Sequence, residues 1–138
     1  KVTEKSKDNP VFYVQYANAR INSIFRTLNL KINYKMKISN KNFELNIHEL
    51  QILKKISEWP KCVQLSSSKL EPHRISFYLY ELSTLFHAYW NLGTKNKKFR
   101  FVSDNKVLNH SRLLLLQALS IVIKNAMKIL GVSTPSSM

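Results

Sequence analysis

A chain of 138 residues, 44% of them hydrophobic, suits one compact domain with a single core. Lys and Arg outnumber Asp and Glu 22 to 8, a formal charge of +14. Such an excess on a small domain favours a polyanionic partner, nucleic acid first; the competing reading is the Lys-, Asn- and Ile-rich usage of an AT-rich genome. The lone Cys62 excludes a disulfide framework and is read as a small apolar residue in a reducing compartment. The polar start KVTEKSKDN does not read as a secretory leader, and the longest apolar run, Leu113 to Ile123, is too short for a bilayer span. The expectation is a soluble, cytoplasmic protein with no membrane partner.

In chain order, a first helix is expected from about Asn9, with Pro10 in its first turn. Val14, Ala17, Ile21, Ile24 and Leu28 repeat at helical spacing and form its apolar stripe. A basic, Asn-rich loop covers Lys31 to Asn42. Glu44 to Trp59 reads as a second helix stopped by Pro60, and Lys61 to Leu70 as a shorter third. Pro72 opens a fourth, through Asn91, whose stripe is Ile75, Leu79, Leu82, Phe86 and Tyr89. The chain has two glycines, Gly93 and Gly131, and each follows a helical pattern, the place for a C-terminal cap. A second basic loop, GTKNKKFRFVSDNK, precedes a fifth helix capped by Asn109 or Ser111 and running to Leu130. That helix is apolar around most of its circumference, with Gln117, Lys124 and Lys128 on one polar strip, and is expected at the centre of the bundle. Strand alternation is weak outside KINYKMKI. The fold expected is an all-α bundle of about five helices with two basic loops.

Catalytic signatures are missing. Two isolated glycines cannot build a phosphate loop, and four scattered histidines with one cysteine show no ligand spacing, so no metal site is expected. The residues read as a binding module. Lys31, Lys35, Lys37 and Lys41 crowd one loop, and Lys95, Lys97, Lys98 and Arg100 the other. Tyr34, Phe43, Trp90, Phe99 and Phe101 lie among or beside them. Lysines neutralise phosphates and aromatic faces stack unpaired bases, so Lys35, Lys37, Lys97, Lys98 and Arg100 are candidate phosphate contacts.

Three segments then carry a resemblance: DNPVFYVQYANAR, EPHRISFYLYELSTLFHAYWN and LLLLQALSIVIKNAMKILGVSTPSSM. In that order, over nearly the whole chain, they resemble the C-terminal DALR-type anticodon-binding domain of arginyl-tRNA synthetases, class I enzymes. The resemblance implies that residues 1–8 are a polar remnant of the junction with a catalytic domain and that 9–138 are the anticodon-binding domain. It implies arginine tRNA as partner, the catalytic domain of the same chain as neighbour, and a monomer. The parent would ligate arginine to its tRNA with ATP and magnesium, whereas this fragment would be non-catalytic and hold no cofactor. Carried over by position, Tyr16 and Arg20 of QYANAR, Phe86 and Trp90 of the fourth helix, and Met138 form the anticodon site. Asn18 departs from the histidine common after Gln-Tyr-Ala, and Ser137 stands where a charged residue often precedes the final methionine. A non-specific basic RNA-binding bundle and a protein-interaction bundle are the alternatives.

Overall fold

The computed structural model describes residues 9–31, 44–104, 106–107 and 110–138. The architecture is an all-α bundle: α1 (Pro10–Thr27), α2 (Ile47–Ser57), α3 (Trp59–Ser68), α4 (His73–Lys95) and α5 (His110–Ile129). Between α4 and α5 lie one 3-10 turn, Lys97–Phe99, and a two-stranded antiparallel hairpin pairing Val102 with Val107 and Ser103 with Lys106. The KINYKMKI segment and the first basic loop, with Lys35, Lys37 and Lys41, lie outside the described residues, as does the proposed cap Asn109.

Local chemistry sets the helix ends. Asn9 Oδ1 accepts from the backbone of Val11 and Phe12, and Pro10 follows where its missing N–H costs nothing. At the other end of α1, Asn29 takes φ 53°, and the N–H of Leu30 reaches back to the carbonyl of Phe25 at 2.9 Å. Gly131 closes α5 in the same way, at φ 71°, with Val132 N–H bonded to Met127 O at 2.9 Å. Asn46 caps α2 by accepting from Glu49 N at 3.0 Å, so that helix starts three residues later than the apolar pattern suggested. Pro60, expected to stop the second helix at Trp59, instead lies in the first turn of α3, which starts at Trp59, for a proline there loses no hydrogen bond, and α2 ends at Ser57. Ser111 lies inside the first turn of α5 and is buried, its hydroxyl accepting from Glu44 N at 3.2 Å.

Gly93 differs from its expected role. It lies inside α4, two residues before the end, and is buried. A Cβ there would sit 3.3 Å from Phe99 O and 3.4 Å from Arg100 Cα, so the glycine admits a neighbouring backbone and caps nothing.

The apolar stripes meet as their spacing implies. Val14, Ala17, Ile21 and Ile24 of α1 pack with Ile75, Leu79, Leu82, Phe86 and Tyr89 of α4, and with Leu116, Leu119 and Ile123 of α5, in one core. α4 touches every other helix, and α5 lies against α1, α2 and α4, so the centre is shared rather than held by α5 alone. Gln117 is buried, which leaves Lys124 and Lys128 to the polar strip. Cys62 is half-buried, with its Sγ 3.7 Å from Arg74 O, and burial pushes the thiol pKa up. No described helix is long and apolar enough to cross a membrane.

Candidate nucleic-acid interface

The interface is built on α1 and α4, which lie side by side and set Tyr16, Arg20 and Trp90 on one edge of the bundle. Tyr16 and Arg20 are one turn apart, hence neighbours on the helix surface. The Arg20 guanidinium carbon lies 4.3 Å from the Tyr16 ring centre and 4.9 Å from that of Trp90. The cation is held between two aromatic faces, an attraction worth about 0.5–1 kcal/mol per exposed contact.

His87 fixes the orientation of that cation. Arg20 Nη1 lies 2.8 Å from His87 Nδ1, and His87 Nε2 lies 3.1 Å from Tyr13 O. A carbonyl only accepts, so Nε2 carries the proton and Nδ1 accepts from Arg20. Arg20 therefore pairs with a neutral imidazole and with none of the helix carboxylates. A guanidinium has five N–H donors, and this bond uses one of them.

Trp90 is half-buried and Phe86 is completely buried beneath it, ring centres 6.1 Å apart. Phe86 also meets Phe101 at 6.2 Å and His87 at 5.6 Å. It is a core residue that supports the wall, with no face open to a ligand.

Met138 arrives from the far end of the sequence. Residues after Gly131 run back along α1 without regular structure, held by side chains of that helix. Gln15 Nε2 donates to Ser133 O at 2.9 Å, Asn18 Nδ2 to Thr134 O and Pro135 O at 3.4 and 3.1 Å, and Arg26 Nη1 to Ser136 O at 2.6 Å. Tyr16, Arg20, Trp90 and Met138, joined by Ala19, Ser23, Arg26 and Ser137, line a cavity of about 290 Å³. Four of the five residues expected to form the site thus share one cavity wall.

A second cavity of about 490 Å³ shares Ser23 and Trp90 with the first. Its other walls include Gly93, Phe99, Arg100 and Phe101, which brings the second basic segment up beside Trp90. Lys97 and Lys98 are exposed on the 3-10 turn. Arg100 is half-buried, and its Nε donates to Gly93 O at 2.8 Å, so part of this guanidinium is committed to its own chain. Arg112 anchors the segment from below, donating from Nη1 to Lys98 O at 2.6 Å and Arg100 O at 2.9 Å while its Nε pairs with buried Glu49 at 2.8 Å. Lys35 and Lys37 lie outside the described residues.

Sequence reasoning missed His87, the strap residues Gln15, Asn18 and Arg26, and the Glu49–Arg112 anchor. The strap did leave a signal. Gln15, Asn18, Asn22 and Arg26 form a polar stripe at helical spacing beside the apolar one, and three of them are amides able to bind an irregular backbone. Among the described residues there is no group of three or more His, Cys, Asp or Glu that could hold a metal.

Comparison with known proteins accords with this geometry. The sequence profile of the DALR anticodon binding domain matches residues 14–138. An arginine–tRNA ligase of Pelagibacter ubique is 51% identical over 138 residues, covering all of this chain and 24% of that protein. One of Chelativorans sp. is 41% identical over 145 residues, again covering all of this chain and 25% of the relative. The chain therefore spans about a quarter of the length of these relatives. Among solved structures, an arginyl-tRNA synthetase of Campylobacter jejuni superposes with a TM-score of 0.78 at 25% identity, over 99% of this chain and 28% of that one. The Thermus thermophilus arginyl-tRNA synthetase shares the fold, with a TM-score of 0.70 at 21% identity over 100% of this chain and 22% of its own. With a family profile matched from Val14 to the last residue, this chain belongs to the DALR anticodon-binding domain family.

Proposed function

We propose that the chain is the anticodon-reading part of an arginine–tRNA ligase and that the Tyr16–Arg20–Trp90–Met138 cavity receives the middle base of an arginine anticodon. Every arginine codon has G at its middle position, so every arginine anticodon has C there, while its neighbours vary. Unstacked bases in RNA loops are read by stacking on aromatic faces and by hydrogen bonds to their Watson–Crick edge. Tyr16 and Trp90 supply the faces. Arg20, already oriented by His87, supplies N–H donors toward the N3 and O2 acceptors of cytosine. Uracil presents an N–H at N3, which would face those donors. Met138 packs a polarizable thioether against the ring.

Lys97 and Lys98 are proposed to neutralise anticodon-loop phosphates, with Arg100 contributing charge from its partly committed guanidinium. Activation of arginine with ATP and magnesium is assigned to the remainder of such an enzyme, which acts as a monomer in the cytoplasm.

The observation that carries this reading is the Arg20 cation held between two aromatic faces in the wall of a solvent-open cavity. Competition binding of arginine tRNA against a tRNA for another amino acid, at two salt concentrations, tests it. Preference for the arginine acceptor at both salts supports the reading. Equal binding of both tRNAs favours a non-specific basic surface, and no binding at physiological salt refutes RNA recognition altogether.

A further inference from the structure

Of the three α1 side chains that hold the strap bringing Met138 to the cavity, one lies in the core. Asn18 is completely buried on α1, where a polar side chain is costly unless its groups are paired; its Oδ1 has no hydrogen-bond partner among the described residues, so the bonds of Nδ2 are what offset that cost. Both partners of its Nδ2, Thr134 O and Pro135 O, are acceptors, so the amide can face them only with its NH2 group. Gln15 and Arg26 hold the strap at its two ends through bonds that are open to solvent. Asn18 holds it in the middle, where the bonds are partly shielded from water and a lost bond is less readily replaced by solvent than at the two ends.

We propose that Asn18 is the positioning residue of the recognition site: it docks residues 133–138 on α1 and thereby sets Met138 in the cavity wall, so cytosine discrimination is conditional on this one amide. The proposal rests on the anticodon reading above for its ligand, but the docking itself is independent of RNA. The alternative is that Asn18 matters only to the packing of α1. The two differ in one respect. A docking role vanishes when there is no strap to dock, whereas a packing role persists.

The test uses the 138-residue chain, Asn18→Leu, a chain ending at Val132, and that shortened chain carrying Asn18→Leu. The RNA is a hairpin with an arginine anticodon loop, with C or U at the middle position. A carbon-13 label on the methionine methyl groups reports docking without RNA. Met138 shares its cavity with the Trp90 ring and should show a ring-shifted signal, and Met127, buried in the core, reports an intact fold. In Asn18→Leu the Met138 signal should collapse to the position of a solvated methionine while that of Met127 stays. Affinity for the cytosine hairpin should fall about tenfold, the loss expected from one to two buried hydrogen bonds. In the shortened chain the same substitution should change affinity by less than about twofold, because coupled sites lose additivity. Asn18→His, which retains a ring N–H donor, should restore part of the Met138 shift and part of the affinity.

An unmoved Met138 signal in Asn18→Leu overturns the proposal. So does an equal loss of affinity in the long and shortened chains, which assigns Asn18 to packing. If the unmodified chain binds C and U hairpins alike, the anticodon reading fails, and the proposal is then decided by the methyl signals alone.

Discussion

Glu49 is a carboxylate with a side chain 1% exposed, and its Oε1 accepts from Tyr89 Oη, Asn46 Nδ2 and Arg112 Nε at 2.8, 2.6 and 2.8 Å. Removing one partner of such a buried pair leaves an uncompensated charge and costs about 3–5 kcal/mol. Arg112→Met should lower the unfolding free energy by that order in urea titration, and Glu49→Gln added to it should recover part of the loss. The network also bears on pH. Burial, then the hydrogen bond to Glu49, pushes the Tyr89 pKa well above the usual phenol range, and burial does the same for Tyr78, whose hydroxyl donates to Lys55 O at 2.6 Å. Above the unfolded-state value of about 10, the folded chain then binds more protons than the unfolded one, so stability falls as pH rises. Urea midpoints measured from pH 9 to 11 should decline, and Tyr78→Phe should flatten that decline. His87 is tested separately: His87→Phe should leave Arg20 without its acceptor and reduce C-over-U preference, with the salt dependence of binding unchanged.

At the scale of elements, Gly93 couples α4 to the basic turn. In an open helix Gly→Ala gains about 1 kcal/mol. Here the new methyl meets Phe99 O and Arg100 Cα, in a segment that Arg112 and the Arg100–Gly93 bond prevent from yielding. Gly93→Ala should therefore show no stabilisation on thermal unfolding, and a rise in melting temperature would contradict the tight approach. The exposed lysines of that turn act through charge. Each phosphate contact on single-stranded RNA adds about −0.7 to the log–log salt slope, so replacing Lys97 and Lys98 together with alanine should flatten the slope for all tRNAs alike. The helices and their stripes were legible because Val14 to Ile24 and Ile75 to Tyr89 follow strict helical spacing. Gly93 was misread because its requirement comes from a backbone packed against it, and a cap and a close approach look the same in sequence. The hairpin at 102–107 was not legible, since two-residue strands leave no alternation to detect.

Across the whole molecule, the site draws on α1, α4 and the C-terminal strap, elements up to 118 residues apart in the chain. The resemblance named Tyr16, Arg20, Trp90 and Met138, and these four line one cavity. Phe86 instead proved to be a core residue, as its place in the middle of the α4 stripe allowed. What stayed hidden was the support: His87 behind Arg20, Asn18 beneath the strap and Arg112 under the basic turn are all defined by contacts distant in sequence. A charge of +14 would by itself attract RNA of any sequence, so affinity alone would say little about the cavity. The role proposed for the cavity is to read one base. It is tested most directly by the affinities of the unmodified chain and Trp90→Ala for arginine tRNA carrying C or U at the middle anticodon position. Stacking on an aromatic is worth about 1–3 kcal/mol per base, so the unmodified chain should clearly prefer C and Trp90→Ala should lose about tenfold or more in affinity. Equal binding of the C and U forms by the unmodified chain would contradict it.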